Sequence, residues 1–177
     1  YTVTAAGHDD WRVRYAAAVA LGETGDARHL PLLADMLQRE HARDLYSQPP
    51  AEYTHGTGDT RMAEEIAPVV LRFDRAYPAD AMEAWRCRGR VKQAVLFAVH
   101  AIGAADDALL VQIHACITRT GEDYPVKAAA ARALGVAGTV ASLPVLHEAV
   151  AVDEWCTQTE ARKAIAAIEA RAARKGA

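Results

Sequence analysis

Cysteine is scarce in this sequence: Cys87, Cys116 and Cys156 are the only three among 177 residues, and none stands in a CxxC pair. That usage argues against a zinc site and a small disulfide framework, and it points to a reducing, cytoplasmic setting. Arg86 and Arg88 flank Cys87, a setting that favours a thiolate, yet no sequence motif for a base or an orienting group accompanies it. Also missing is an uninterrupted run of about 18 apolar residues, the length a membrane span needs. No basic stretch followed by an apolar one opens the sequence, so no secretory leader is read there. Excess charge of either sign is missing too. Twenty basic residues face 23 acidic ones for a formal net charge of -3, so bulk electrostatics offer a polyanion no general attraction and nucleic acid is not the default partner. No glycine-rich phosphate loop, nucleophile elbow or HExxH helix occurs. Catalytic residues, metal ligands and cofactors are therefore left unassigned.

What the chain does have is helical repetition. With 51% hydrophobic and 24% charged residues it is long enough to bury one core as a single domain over 1–177. The stretch Val13-Arg14-Tyr15-Ala16-Ala17-Ala18-Val19-Ala20-Leu21-Gly22 is written again as Val126-Lys127-Ala128-Ala129-Ala130-Ala131-Arg132-Ala133-Leu134-Gly135. A third copy runs from Ala94 to Gly103, 32 residues before Gly135, and a fourth from Glu160 to Ile168, 34 residues after Leu134. Alanine combines high helix propensity with a small side chain that lets neighbouring helices approach. The glycine after the last apolar residue is expected to end each helix in a left-handed turn. After each of the first three copies comes a short polar link and a second helix, with apolar residues at helical spacing: Leu30, Leu33 and Leu37; Leu110, Ile113 and Ile117; Leu143, Leu146 and Val150. Pro31 and Pro144 stand near the starts of their helices, where a missing amide hydrogen costs little.

These units resemble the HEAT-like repeats of phycobilisome-lyase-type proteins, which read as apolar-x-x-Ala-Ala-x-x-Leu-Gly, a short turn, and an apolar-Pro-x-Leu second helix. Trp11 to Leu37 and Tyr124 to Val150 carry the likeness. The tetratricopeptide pattern Trp-x-x-Leu-Gly-x-x-Tyr is absent. The resemblance implies an all-α, right-handed α-α superhelix whose second helices line a concave face. It is silent on activity, since such repeats build scaffolds, adaptors, lyase subunits and a few other enzymes. HEAT-like iron hydroxylases carry several His-Glu pairs, whereas His147-Glu148 stands alone here. No catalytic aspartate of the HEAT-like DNA glycosylases can be aligned.

The expected layout is a repeat over 9–41, a degenerate one with an insertion over 42–86, repeats over 87–119 and 123–152, and a terminal helix over 154–175. The break comes from the spacing: Gly22 and Gly103 stand 81 residues apart. Ala42 to Asp59 reads as a long loop carrying Tyr53 and His55, and Thr60 to Ala76 returns to helical spacing. Val3 to Gly7 reads as the tail of a preceding second helix, and Tyr1 in place of Met leaves room for earlier repeats. On the second helices, Asp35, Gln38, Arg39, Thr118, Arg119 and Glu148 project to one face as a mixed polar groove. His114 and His147 fall at equivalent places on successive helices. Trp11, Tyr124 and Trp155 stand at the starts of first helices, where an aromatic can staple one repeat to the next.

Three functions follow from this reading. The first is a protein-interaction or scaffolding module that takes a partner protein on the concave face and the loop. The second is a lyase-like or other small-molecule enzyme subunit using Tyr53, His55, His114 and His147. The third is nucleic-acid binding, which requires Arg72, Arg75, Arg86, Arg88, Arg90 and Lys92 to converge on one exposed face.

Overall fold

A computed structural model describes residues 2–43, 89–151 and 155–176. These belong to one compact unit, Tyr1–Arg43 with Gly89–Ala177. Its described residues form eight α-helices and no strand: α1 (Thr2–Ala6), α2 (Trp11–Thr24), α3 (Leu30–Arg43), α4 (Arg90–Ile102), α5 (Asp107–Thr118), α6 (Tyr124–Ala137), α7 (Leu143–Val150) and α8 (Trp155–Gly176). The local sequence starts these helices in recognisable ways. Asp10 and Asp106 accept backbone N–H bonds at the starts of α2 and α5. One turn of 3-10 helix, Ala27–His29 or Val140–Ser142, leads into α3 and α7, each with proline in its first turn.

The helices stack as pairs. First helices pack in the order α2, α4, α6, α8, and second helices in the order α3, α5, α7. The architecture is the expected all-α solenoid. Its core is a continuous band of buried leucine, isoleucine and valine from both rows, with Leu21, Leu33, Leu37, Leu96, Val99, Ile113, Leu134, Leu146 and Ile168 each at most 2% exposed. Alanines fill the crossings between first helices: Ala17, Ala18, Ala94, Ala98, Ala129 to Ala131, Ala133, Ala161 and Ala164 are buried. Short side chains there permit close packing with little loss of side-chain entropy.

The layers on either side of the long sequence spacing touch directly. α2 packs on α4 and α3 on α5, so the pair α4/α5 is the second layer of the stack. Of the expected degenerate repeat over 42–86, only Ala42 and Arg43 lie within the described residues, and they complete α3. α1 lies against α2 and α3, the position of a second helix one layer earlier.

Two expectations need correction. Gly103 does end its helix in the left-handed region, with φ 74°, but Gly22 and Gly135 lie inside α2 and α6, which run on to Thr24 and Ala137. The turn after α2 is made by Gly25, φ 64°. Gly22 serves the crossing with α4 instead: a Cβ there would sit 2.7 Å from Ala98 Cα, inside any permitted contact. The aromatic staples also differ. Trp11 packs against the core, edge-on to Tyr15 at 6.4 Å, whereas Tyr124 and Trp155 are 51% and 74% exposed.

Candidate functional site

The second helices repeat their outward positions in register. With Leu30, Leu110 and Leu143 as matched core positions, the next residue on each helix is Pro31, Val111 and Pro144, and all three are exposed, Val111 at 62%. Further along come Asp35, half-buried Ala115 and Glu148, then Gln38, Thr118 and Ala151, the last just past the end of α7. Adjacent helices lie about 8–10 Å apart. These positions therefore form rows that run across three layers.

The structure sorts the expected site residues. Asp35 and Arg39 pair with each other one helical turn apart, at 2.9 Å and about half exposed. Gln38, Thr118, His147 and Glu148 are exposed, and the Thr118 hydroxyl donates back to the His114 carbonyl. Arg119 faces inward: its Nη1 donates to the His41 carbonyl at 2.9 Å, satisfying the C-terminal end of α3 from the next layer. The equivalent positions Ala34, His114 and His147 diverge. Ala34 is buried; His114 is half-buried and shares a 2.9 Å hydrogen bond with Ser142 Oγ in the next layer, while His147 meets solvent. Burial holds the His114 pKa below its ordinary value. The two histidines thus have separate settings, and no group of three or more His, Cys, Asp or Glu side chains among the described residues could hold a metal. Tyr53 and His55 lie outside the described residues, as do Cys87, Arg72, Arg75, Arg86 and Arg88. Lys92 does not join a basic surface: it is 2% exposed and its Nζ lies 2.7 Å from Glu122 Oε2. The required convergence of basic side chains therefore loses one of its members.

Sequence reading missed the polar groups that set this face in place. Behind the row, Lys92 of α4 and Glu122 of the α5–α6 turn form an ion pair whose side chains are both 3% exposed. Beside it His41 donates through Nε2 to the Gln112 carbonyl, 3.3 Å, which leaves Nδ1 a buried acceptor with no partner. Burial lowers the His41 pKa, and the Lys92 charge lowers it further. Cys116 Sγ lies 3.7 Å from the same ring, and burial pushes its thiol up to about 12, so it is a packed, unreactive group. A second buried pair joins Arg14 of α2 to Glu40 of α3 at 2.6 Å, with Arg14 also donating to the carbonyls of His8 and Asp9. These contacts tie helices and turns together within and between layers. A lysine among Val91, Val95, Leu96 and Val99 was the available signal, since a charge on an apolar helix face requires a buried partner.

Residues 2–47 match the HEAT repeats family. The matched stretch takes in α1, α2 and α3, and the helix pairs that follow reuse their packing. No curated protein matches the chain. Among the described residues no helix is long and apolar enough to cross a membrane.

Proposed function

We propose that the chain is a protein-binding module whose second helices α3, α5 and α7 hold a segment of a partner protein. The observation that carries this reading is the exposed row Pro31, Val111 and Pro144, repeated once per layer, with the polar groups of half-exposed Asp35 and of exposed Gln38, Thr118 and Glu148 beside it. An extended chain rises roughly 3.3 Å per residue. Every third residue of such a segment therefore meets the equivalent place on the next helix, with apolar contacts from one row and hydrogen bonds from the next. Stacked helix pairs in general use long surfaces of this kind for recognition. The likeness of Trp11 to Leu37 and Tyr124 to Val150 to phycobilisome-lyase-type repeats suits an adaptor as well as a lyase subunit, and a row of exposed positions suits an adaptor better.

Replacing Asp35, Arg39 and Glu148 together by alanine tests the assignment. All three are surface charges, so the thermal midpoint stays within a few degrees, because an exposed pair contributes only about 0.3–0.5 kcal/mol. Capture of partner proteins from a native lysate is expected to fall sharply. Undiminished capture by the triple variant contradicts the groove.

A further inference from the structure

The first-helix side of the stack carries a separate cleft of about 460 Å³, contributed by α4, α6 and α8. Its floor is made of small side chains. Gly135 and Val136 of α6 face Ala164 and Ala167 of α8, and a Cβ on Gly135 would stand 3.5 Å from Ala164 Cα. Its polar rim is His100, Arg132, Glu160 and Lys163. The donors and acceptors of that rim do not balance. Glu160, 13% exposed, receives Arg132 Nε at 3.2 Å on Oε2 and Lys163 Nζ at 2.8 Å on Oε1. Despite its partial burial, these two cations hold its carboxyl below the usual range. One carboxylate is thus occupied by two cations, while Arg132 keeps both Nη groups and Lys163 two of its three N–H bonds without a partner among the described residues. The formal charge of the rim is +1 with His100 neutral.

We infer that this cleft binds an acidic peptide segment of a partner protein, one carboxylate bridging Arg132 and Lys163 and a neighbouring small apolar side chain resting on Gly135, Ala164 and Ala167. The planar Arg132 fork fits a carboxylate in two-point contact. The volume lies in the range of small binding clefts. A nucleic acid fits less well, because one net positive charge on a chain of formal charge -3 is a small footprint for a polyphosphate. The inference stands apart from the second-helix face, since its residues belong to α4, α6 and α8 alone.

The test is an NMR titration of the whole chain at low salt with a blocked hexapeptide of alternating leucine and glutamate, beside its leucine and glutamine counterpart. The acidic peptide is expected to shift the amides of Gly135, Val136, Ala164 and Ala167, and the neutral one to leave them in place. The double variant Arg132→Gln with Lys163→Gln weakens binding about ten-fold or more, while Arg162→Gln with Arg174→Gln, equal in charge lost and outside the cleft, keeps it within about two-fold. Should the first double variant fail to fold, Glu160→Gln serves instead, and by releasing both cations it is expected to tighten binding. Equal weakening in both double variants, shifts with the neutral peptide, weaker binding in Glu160→Gln, or equal response to inorganic phosphate or duplex RNA overturns the inference.

Discussion

His41 couples its ionisation to the fold. Its Nδ1 is buried without a partner, and Lys92 of α4 and Arg119, just past the end of α5, face it, with Glu122 the opposing charge from the α5–α6 turn. Burial disfavours the charged ring, and protonation would add a third positive charge beside Lys92 and Arg119, so the folded-state pKa lies below the ordinary value of 6.5. The sign follows: the unfolded chain takes up the proton first as pH falls, and the stability this group contributes, complete above about 6.5, is lost as pH drops through the folded-state value. His114, depressed by burial, acts in the same direction. Thermal midpoints at pH 7 and pH 5 check this. The fall between them is expected to be smaller in a His41→Gln variant, which retains a donor for the Gln112 carbonyl; equal falls in the two proteins contradict it.

At the scale of the helix, glycine decides how closely two layers approach. Gly22 and Gly135 occupy the same place in the repeated sequence, yet the space around them differs. A methyl group at Gly22 meets the α4 backbone at Ala98 Cα, 2.7 Å away, whereas at Gly135 the nearest atom is 3.5 Å away, an ordinary contact. Gly22→Ala is therefore expected to cost about 1–3 kcal/mol by overpacking. Gly135→Ala is expected to be neutral or to stabilise by up to about 1 kcal/mol through helix propensity. Urea unfolding of the two variants measures the contrast, and equal effects of one sign refute it. The alanine stripes, the leucine registers and the prolines at helix starts were legible in the sequence because they are local and periodic. The helix ends were half legible: Gly25 and Gly138 follow Gly22 and Gly135 by three residues, and in both cases the second glycine closes the helix. The Arg14–Glu40 and Lys92–Glu122 pairs were not, because partners 26 and 30 residues apart are chosen by how helices and turns pack in three dimensions, which periodicity alone does not reveal. The candidate face was legible as a set of exposed helix positions. Arg119 left that set because a carbonyl at the end of α3 needs a donor, a demand visible only once α3 lies on α5.

For the molecule as a whole, repetition has two consequences. Among the described residues α4 and α6 are each buried between two first helices, and α2, α4, α6 and α8 share one apolar band, so the stack is a single core built in layers. Each second helix repeats its outward positions, so a surface arises with a spacing of about 8–10 Å between rows. That surface bears exposed Val111 at its centre and polar groups at Gln38, Thr118, His147 and Glu148 on either side. The proposed partner segment lies across these rows. Site-specific photo-crosslinking in native lysate tests it most directly, with a photoreactive residue in place of Gln38 on the second-helix face or in place of exposed Glu23 on α2. Adducts to one and the same partner protein from position 38, absent from position 23, are the predicted result. Equal adducts from both positions, or none from position 38, would contradict the account.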